Sequence, residues 1–267
     1  MPPKTHIEGF YDTNALREWE RLDRHRMELA LTLKALDETL PPAPADVIDI
    51  GGGPGRYAIE LSRRGYRATL LDLAQANLDL AAQKAAEAGV NLHATVHGNA
   101  LDLSAFADNT FDAALLMGPL YHLVSLEDRK RCIHEARRVL KPGGLLFAAF
   151  INRYGVFVDA AAKYPQDVFD RRGLWEGIWR DGVNPPPHDS FTDAYFAMPS
   201  EIVPFMETGG FSTLNLLGLE GIVSGHEDAV NALQGDAWTY WVNINYAYAQ
   251  DPALHAASQH LLFVGKK

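Results

Sequence analysis

The chain has 267 residues, of which 47% are hydrophobic and 22% are charged, so it can bury a substantial core and is not globally disordered. Its formal net charge of -10 disfavours a nucleic-acid substrate, because an acidic surface repels phosphate backbones. The single cysteine, Cys132, excludes an intrachain disulfide.

The first 45 residues predict a helical segment, because Trp19, Leu22 and Leu31 recur at roughly helical spacing before the proline-rich linker Pro41-Pro42-Ala43-Pro44. From Asp46 onward, short apolar runs alternate with helical stretches. This alternation predicts a parallel sheet covered on both faces. The predicted strands are Val47–Ile50, Ala68–Leu71, Leu92–Val96, Phe111–Met117 and Leu145–Phe150, and the predicted helices are Tyr57–Arg64, Asn77–Ala88 and Leu126–Leu140.

The second half of the chain has a less regular pattern. Residues from about 153 to 198 hold two tryptophans and three consecutive prolines without a long period, so we interpret them as an insertion over the end of the sheet. We predict an N-terminal helical cap over residues 1–45 and one α/β domain over residues 46–267, with insertions at about 153–198 and 221–256. The remaining predicted elements are a helix over Pro199–Glu207, strands over Phe211–Leu219 and His260–Gly265, and a mostly helical stretch over His226–Gln250.

A glycine-rich turn, Asp49-Ile50-Gly51-Gly52-Gly53-Pro54-Gly55, follows the first predicted strand. Glycine lets the main chain approach a ligand where a Cβ would intrude, and a strand–turn–helix brings backbone N–H groups to that ligand. A dinucleotide-binding turn has another glycine where this chain has Arg56, which disfavours a nicotinamide-dependent oxidoreductase. The carboxylate of Asp49 suits a cationic ligand better than a pyrophosphate.

The turn resembles motif I of the class I S-adenosylmethionine-dependent methyltransferases. Further segments resemble motifs of that family in the same order, over residues 46–150. They are Leu71-Asp72 at the end of the second strand, His97–Asp102 after the third, Phe111–Leu116 in the fourth, and Arg138–Gly144 before the fifth. The resemblance implies a doubly wound, Rossmann-like sheet of seven mostly parallel strands, the last of them antiparallel to the rest, with an N-terminal helical segment and helical, aromatic lid insertions.

The resemblance also implies the cofactor, S-adenosyl-L-methionine, with S-adenosyl-L-homocysteine as its product. We expect Asp72 to bind the two ribose hydroxyls, and the carbonyl oxygen of Asn99 to accept from the adenine amino group where the family often has Asp. Ala74 stands where Ser or Thr is common, which removes one hydrogen bond. The cofactor-binding residues that the resemblance implies are Tyr11, Asp49, Gly51, Gly52, Gly53, Gly55, Asp72, Leu73, Asn99, Ala100, Leu101, Met117 and Gly118.

Catalytic residues are weakly specified, because methyl transfer mainly requires the nucleophile to be held on the methyl axis and water to be excluded. The candidates follow the fourth strand, since ligands bind beyond the carboxyl ends of strands in open α/β sheets. We expect Tyr121 to line the sulfonium site and His122 to contact the substrate or act as a base; a structural role for His122 is the alternative. Tyr11 is expected to close over the methionine moiety, unless it is an ordinary packing tyrosine.

Two further groups of residues bear on the acceptor. The histidines show no ligand spacing typical of a metal site, so we predict no metal, and His188 and His226 are surface or packing residues unless they reach the substrate. Aromatic residues of the two insertions either line an apolar pocket or form the core of a cap. They are Trp175, Trp179, Phe191, Tyr195, Phe196, Trp238, Tyr240 and Trp241.

These observations predict a cytoplasmic methyltransferase that acts on an oxygen or nitrogen of a small molecule by in-line displacement. No signal peptide, membrane span or nucleic-acid partner is expected. The alternatives are a protein or peptide methyltransferase, which an open acidic groove would favour, and a non-catalytic protein that binds S-adenosylmethionine only as a ligand.

Overall fold

The computed structural model of the chain describes residues 6–184 and 192–267. The strands are β1 (Asp46–Ile50), β2 (Arg67–Asp72), β3 (Ala94–His97), β4 (Phe111–Leu116), β5 (Leu140–Ile151), β6 (Val183–Asn184), β7 (Ala194–Tyr195), β8 (Ser212–Gly218) and β9 (His260–Lys266). The helices are α1 (His6–Arg24), α2 (Arg26–Thr39), α3 (Arg56–Arg63), α4 (Gln75–Glu87), α5 (Pro119–His122), α6 (Leu126–Val139), α7 (Arg153–Lys163), α8 (Pro165–Asp170), α9 (Arg172–Asp181), α10 (Pro199–Thr208), α11 (Glu227–Asn231), α12 (Gly235–Tyr248) and α13 (Pro252–His255). None of the helices in these two ranges is long and apolar enough to span a membrane.

Seven strands form one sheet in the order β3-β2-β1-β4-β5-β9-β8. Strands β1 to β5 pair in parallel, and β9 pairs antiparallel with both of its neighbours, β5 and β8. The predicted seven-stranded sheet with an antiparallel last strand is therefore confirmed. The chain order reverses at β1, which lies between β2 and β4, and this switch point is where open α/β sheets bind ligands.

The central strands are buried on both faces, as their continuous apolar sequences predict. In β1, Val47 packs into a core with the α2 and α3 side of the sheet, whereas Ile48 and Ile50 pack into a second core on the α6 side. Successive side chains of a strand point to opposite faces, so one short apolar run supplies both cores. The two cores hold the sheet rigid, which fixes the loops at its carboxyl edge.

Helix α1 leaves this layered arrangement and lies over the carboxyl edge of the sheet. The carboxylate of Asp12 accepts from the backbone N–H of Ala76 in α4 at 3.1 Å. The guanidinium of Arg56 in α3 donates to Asp23 at 2.8 Å and lies 4.6 Å from the ring centre of Trp19. Helix α1 is thus held on the starts of α3 and α4.

The two predicted insertions differ in what they contact. The first contains α7 to α9 and the short hairpin β6–β7, and it has a small core of its own around Trp175 and Ile178. The second contains a 3₁₀ turn, Gly221–Val223, and helices α11 to α13. Its helix α12 packs against α2 and that turn. The stretch His226–Gln250, predicted to be mostly helical, holds the two helices α11 and α12, which are separated by a break that ends at Gly235 with a φ of 56°.

Candidate active site

The glycine turn after β1 forms the floor of a cleft, because three of its glycines, Gly51, Gly53 and Gly55, have a positive φ that lets the backbone bend tightly. A Cβ on Gly51 (φ 65°) would lie 2.5 Å from Cγ of Pro119, so the start of α5 can approach the turn only because residue 51 has no side chain. A Cβ on Gly53 (φ 58°) would instead fit without a clash, in van der Waals contact with Cγ of Glu18 at 3.6 Å and 4.0 Å from Nδ2 of Asn77. The turn therefore leaves a cradle that a side chain at residue 53 would fill.

The cleft has two lobes that meet at Tyr11, Gly51 and Asp72. A lobe of about 70 Å³ lies over the glycine turn and below α1. A second lobe of about 200 Å³ lies over the ends of β2 and β3 and is mostly apolar. Among the predicted site residues, those that line one lobe or both are Tyr11, Gly51, Gly52, Gly53, Asp72, Leu73, Asn99, Ala100, Leu101, Met117, Gly118, Tyr121 and His122. We call the two lobes together the cofactor cleft.

Asp72 stands between the two lobes, with its carboxylate held by three donors. It accepts from the backbone N–H of Gly53 at 2.8 Å, from that of Ala74 at 2.9 Å and from Nδ2 of Asn77 at 3.0 Å. Burial raises its pKa, and these hydrogen bonds oppose that shift. A carboxylate accepts at about four positions, so roughly one remains for a ligand hydroxyl unless a protein donor gives way.

Asp49 lies behind the glycine turn and does not line the cofactor cleft. Its side chain is 1% exposed, and a Cβ on Gly52 would lie 2.4 Å from its Cγ. Neither carboxylate oxygen has a hydrogen-bond partner of good geometry among the described residues. Burial and the nearby charge of Asp72 raise the pKa of Asp49 to about 7, and the backbone of Ala58 offsets only part of this. The charge of Asp49 thus acts on the turn through space.

Gly55 also lies outside the cofactor cleft. It precedes the first residue of α3, and a Cβ there would lie 3.3 Å from the methyl group of Ala81 in α4. Its lack of a side chain lets α3 pack closely on α4. Sequence reasoning assigned Asp49 and Gly55 to the cofactor together with their neighbours, and only the folded turn separates the residues that face the cleft from those that face the core.

The apolar lobe contains the predicted adenine-binding segment. Leu73, Ala100 and Leu101 line it, and Asn99 stands at its edge. The carbonyl oxygen of Asn99, which was expected to accept from adenine, accepts instead from the backbone N–H of Leu101 at 2.9 Å. This contact turns the chain after β3, and the oxygen keeps one lone pair for a further donor.

Helix α1 supplies lining residues that sequence reasoning missed. Glu18, Arg21 and Leu22 cover the lobe over the glycine turn, and Ile7 and Glu8 cover the apolar lobe. The periodicity of the first 40 residues indicated a helix without showing where its polar face lies. Only the tertiary contacts of α1 with α3 and α4 place these side chains over the cleft.

The segment after β4 brings Met117, Gly118 and Tyr121 to the same lobe. The hydroxyl of Tyr121 donates to the backbone oxygen of Met117 at 2.9 Å. Burial raises the pKa of Tyr121 well above its usual value, so the phenol stays neutral. Because α5 is a single turn that begins with Pro119, Tyr121 and His122 point to different lobes of the cofactor cleft.

His122 joins α5 to α1 and to the segment before β7. Its Nδ1 lies 3.1 Å from the backbone oxygen of Asp193, and its Nε2 lies 2.6 Å from the hydroxyl of Tyr11. Burial lowers the pKa of His122 to about 4, so the ring is neutral at pH 7 and carries one N–H. A carbonyl oxygen only accepts, which places that hydrogen on Nδ1 and makes Nε2 the acceptor from Tyr11.

A larger cavity of about 410 Å³ lies beside the cofactor cleft, between α1 and α7. Its floor is the end of β5 at Ile151 and the start of β9 at His260, which pair because β9 runs antiparallel. Tyr11, Glu18 and Arg21 line both this α1–α7 cavity and the cofactor cleft. The two spaces are thus separated by three side chains of α1.

The aromatic residues of the insertions mostly lie away from the α1–α7 cavity. Of those predicted to line a pocket, Phe196 borders the cavity, and Trp175 packs edge to face on Phe157 instead. Trp238 lies under the guanidinium of Arg26, 4.1 Å from its ring centre. Trp179, Tyr240 and Trp241 are exposed, and Phe191 and His188 lie outside the described residues. His226 is exposed just before α11 and lines neither the cavity nor the cleft.

A chain of buried charges lies below the α1–α7 cavity. Arg21 donates to both oxygens of Glu28, at 2.7 and 2.9 Å, and His260 donates from Nδ1 to Glu220 at 2.7 Å. The two carboxylates raise the pKa of His260 to about 9 against the effect of burial, so its ring is protonated at pH 7. Glu28, Glu220 and His260 are close enough together to hold a metal ion, but Arg21 and the imidazolium already balance the two carboxylates.

The chemistry of the side chains that line the cofactor cleft fits S-adenosylmethionine. The apolar lobe suits an adenine ring, and the carboxylate of Asp72 lies where ribose hydroxyls would need an acceptor. Asn77 borders the other lobe, and its buried Oδ1 has no hydrogen-bond partner in the described part of the chain. There, Glu18 and the rings of Tyr11 and Tyr121 suit the ammonium and sulfonium of the methionine end.

Comparison with known proteins agrees with this assignment. Residues 48–148 match the family described as a methyltransferase domain. A ubiquinone biosynthesis O-methyltransferase of Methylobacterium nodulans is 38% identical over 114 residues, which cover 43% of this chain and 44% of that protein. A tRNA 5-carboxymethoxyuridine methyltransferase of Escherichia coli is 29% identical over 141 residues, which cover 52% of this chain and 49% of that protein. The chain thus spans about half the length of these relatives.

The similarity of fold extends further along the chain than the similarity of sequence. A solved structure of a SAM-dependent methyltransferase from Methanosarcina mazei superposes with a TM-score of 0.61, and the match covers 87% of this chain and 96% of that protein at 20% identity. At this identity the likeness speaks for the fold alone. The sequence match thus assigns a methyltransferase domain to residues 48–148, and the fold of the chain is that of the class I, S-adenosylmethionine-dependent methyltransferases.

Proposed function

We propose that the chain is an enzyme that transfers a methyl group from S-adenosylmethionine to an oxygen or nitrogen of a small molecule. The observation that carries this proposal is the α1–α7 cavity of about 410 Å³, which adjoins the cofactor cleft through Tyr11, Glu18 and Arg21. A cavity of this size holds a small molecule and is walled by α1, α7 and the floor of the sheet. An extended peptide would need an open groove.

The bound cofactor supplies a methyl group on sulfonium sulfur; the acceptor's lone pair forms the new bond to carbon, and the carbon–sulfur electron pair stays on sulfur. The chain's own part is to hold the acceptor in line and to exclude water. We propose that Tyr121, with its hydroxyl held by the backbone of Met117, lines the sulfonium side of the cofactor cleft. Tyr11 stands between this side and the α1–α7 cavity, where it closes over the methionine moiety.

For His122 we propose a positioning role through Tyr11. A pKa near 4 makes its imidazole a weak base, and its Nε2 accepts from the Tyr11 hydroxyl. Kinetics separate the two roles. A positioning role predicts that His122→Ala changes KM and kcat without removing a titration from the pH profile of kcat/KM, whereas the loss of such a titration would assign His122 as the base.

The rival substrates are a protein or peptide and an RNA. The similarity to a tRNA methyltransferase favours the RNA, and the net charge of -10 opposes it. A non-catalytic protein that binds S-adenosylmethionine only as a ligand is the third alternative. The cytoplasmic location expected from the sequence stays a prediction.

Calorimetric titration with S-adenosylmethionine is the first test, and we expect one site per chain. A titration that shows no binding would refute the proposal. A screen of phenols, carboxylic acids and amines for release of S-adenosylhomocysteine then tests the acceptor class. Turnover of a bulk tRNA or of a peptide mixture, with none of the small molecules accepted, would replace the small-molecule proposal.

A further inference from the structure

The α1–α7 cavity has the opposite charge balance to the chain as a whole. Lys and Arg number 24 in the chain, against 34 Asp and Glu. Around the cavity, four Lys or Arg side chains face two carboxylates: Arg17, Arg21, Arg24 and Lys163 against Glu18 and Asp159. The three arginines follow one another at helical spacing along α1, so one face of this helix turns positive charge toward the cavity.

Both carboxylates of the cavity wall have a cationic neighbour. Asp159 accepts from the Tyr164 hydroxyl at 3.2 Å and lies 2.6 Å from Nζ of Lys163, which balances its charge. Glu18 accepts from Nε of Arg21 at 3.1 Å, but Arg21 is shared with Glu28 and offsets only part of the charge of Glu18. At most one carboxylate charge of the wall is therefore left to oppose an anion.

The positive charges that remain belong to Arg17 and Arg24. The Arg17 guanidinium has no carboxylate within ion-pair distance among the described residues, and the nearest carboxylate oxygen of Glu20 is 4.0 Å from Arg24. Arg21, by contrast, is bound to both oxygens of Glu28. An unpaired guanidinium at a cavity rim can bind a carboxylate through two parallel hydrogen bonds.

The position of Arg17 along α1 sets the size of the molecule that can use it. Arg17 follows Tyr11, at the cofactor end of the cavity, by six residues of α1, and the helix is kinked between them at Asn14, where φ is -123° and ψ is 17°. A straight helix would separate the two positions by about 9 Å along its axis, and the kink makes this an upper limit. Between them the wall is apolar, with Phe10, Val156 and Phe196. An aromatic ring fits this spacing.

We propose that the acceptor is a small aromatic carboxylate, whose carboxylate is bound by Arg17 and Arg24 while its nucleophilic oxygen or nitrogen lies beside Tyr11. This inference rests on the proposed function, because it places the reacting atom at the cofactor end of the cavity. The anion anchors the molecule by its far end and leaves the methylated atom free.

Binding of a matched pair of probes to the full chain saturated with S-adenosylhomocysteine tests the proposal. The probes are 3,4-dihydroxybenzoate and 3,4-dihydroxybenzamide, which have the same ring and hydroxyls and differ in the anion. We expect the carboxylate to bind at least about tenfold more tightly by calorimetry or ligand-observed NMR, with an affinity that falls as salt is raised. Equal affinities, or no binding of the carboxylate at millimolar concentration, overturn the proposal.

A charge-removing variant identifies the residue. Arg17→Gln is expected to weaken the binding of 3,4-dihydroxybenzoate about tenfold and to leave the binding of 3,4-dihydroxybenzamide unchanged. Arg17→Lys should keep part of the affinity for the carboxylate. Arg63→Gln is the matched control, because Arg63 is an exposed arginine of α3 that does not line the cavity. An effect of Arg63→Gln as large as that of Arg17→Gln would mean that the overall charge, and not this site, attracts the anion.

The outcomes also separate this inference from the proposed function. If S-adenosylmethionine does not bind, the proposed function fails. If it binds and the carboxylate probe does not, only the anionic acceptor is refuted. A third outcome is that bulk tRNA displaces the carboxylate probe and that Arg17→Gln no longer binds the tRNA. In that case the arginines bind phosphates, and the proposal of a small-molecule acceptor is wrong.

Discussion

The hydroxyl of Tyr11 lies 2.6 Å from Nε2 of His122, although 111 positions separate the two residues in the chain. This contact ties α1 to the segment after β4, across the mouth of the cofactor cleft. The backbone oxygen of Asp193 fixes the tautomer of the ring from the other side. The closed position of α1 therefore depends in part on one hydrogen bond between a neutral imidazole and a phenol.

Removing this hydrogen bond should weaken cofactor binding. We expect Tyr11→Phe to raise the Kd for S-adenosylmethionine about fivefold, because a net hydrogen bond contributes about 1 kcal/mol to the closed form. His122→Phe should have a similar effect, and the double variant should cost little more than either single one. Calorimetry on all three gives the coupling energy.

Tyr240→Phe is the control, because Tyr240 is 68% exposed on α12. Strictly additive effects of Tyr11→Phe and His122→Phe on the Kd would contradict the coupling that the 2.6 Å contact implies.

Asp49 should release a proton when the cofactor binds. Its pKa is raised to about 7 by burial and by Asp72, so the carboxyl is partly protonated at pH 7. A cationic ligand over the glycine turn favours the charged form and lowers that pKa. The binding enthalpy of S-adenosylmethionine should therefore depend on the ionisation enthalpy of the buffer, with up to about half a proton released per site at pH 7.

Asp49→Asn tests the source of this proton. The amide cannot titrate, so the slope of enthalpy against buffer ionisation enthalpy should fall toward zero. An unchanged slope in Asp49→Asn would assign the proton to another group, such as Asp72, whose pKa is also raised.

Alanine substitutions should separate the two functions of the glycine turn. Gly53→Ala places a methyl group in the open cradle, so we expect it to abolish measurable binding of S-adenosylmethionine while costing about 1 kcal/mol of folding stability through its positive φ. Gly51→Ala should destabilise the fold more, because its methyl group would meet the ring of Pro119. Thermal unfolding and calorimetry measure the two effects.

Gly89→Ala is the matched control, since Gly89 also has a positive φ, 68°, and has open space around it outside the cleft. It should cost about as much stability as Gly53→Ala through the same backbone strain, about 1 kcal/mol, and leave the Kd unchanged. Cofactor affinity that survives Gly53→Ala would place the methionine end elsewhere.

The buried charges below the α1–α7 cavity predict how stability depends on pH. The folded-state pKa of His260 is raised to about 9, above its usual value near 6.5, so its contribution is complete below about pH 6.5 and is lost as the pH rises through 9. Glu28, whose pKa is lowered to about 2 chiefly by Arg21, contributes above about pH 4.5 and loses that contribution as the pH falls toward 2.

Urea unfolding at pH 6 and pH 9 tests the alkaline limb. We expect the wild-type chain to lose on the order of 2 kcal/mol over this range through His260, and His260→Gln to lose much less. His25, which lies 3.5 Å from Glu227, belongs to the same group, because its ring lies edge to face on His260 at 6.2 Å between centres and it helps to lower the pKa of Glu28. If the unfolding free energy of His260→Gln depends on pH as much as that of the wild type, the titration belongs to another group.

The sequence by itself determined the sheet and the cofactor. The glycine turn, the acidic end of β2 at Asp72 and the apolar runs of the parallel strands are local signals, because each follows from backbone conformation and burial within a few residues. The apolar runs predicted seven strands, and the resemblance to the methyltransferase family implied that the last strand is antiparallel; the structure confirms both. They also predicted that Leu73, Asn99 and Met117 lie at one edge of the sheet, where the structure shows them lining the cofactor cleft, since every parallel strand ends at the same edge.

The tertiary structure alone decided which side chains meet. The polar face of α1 could lie anywhere until its contacts with α3 and α4 placed Glu18 and Arg21 over the cleft. The tight turn likewise put Gly53 in the cleft and Asp49 behind it, although they are four residues apart. The contact between Tyr11 and His122, and the uncompensated charge of Arg17 at the cavity rim, arise from packing between distant segments, which local periodicity does not encode.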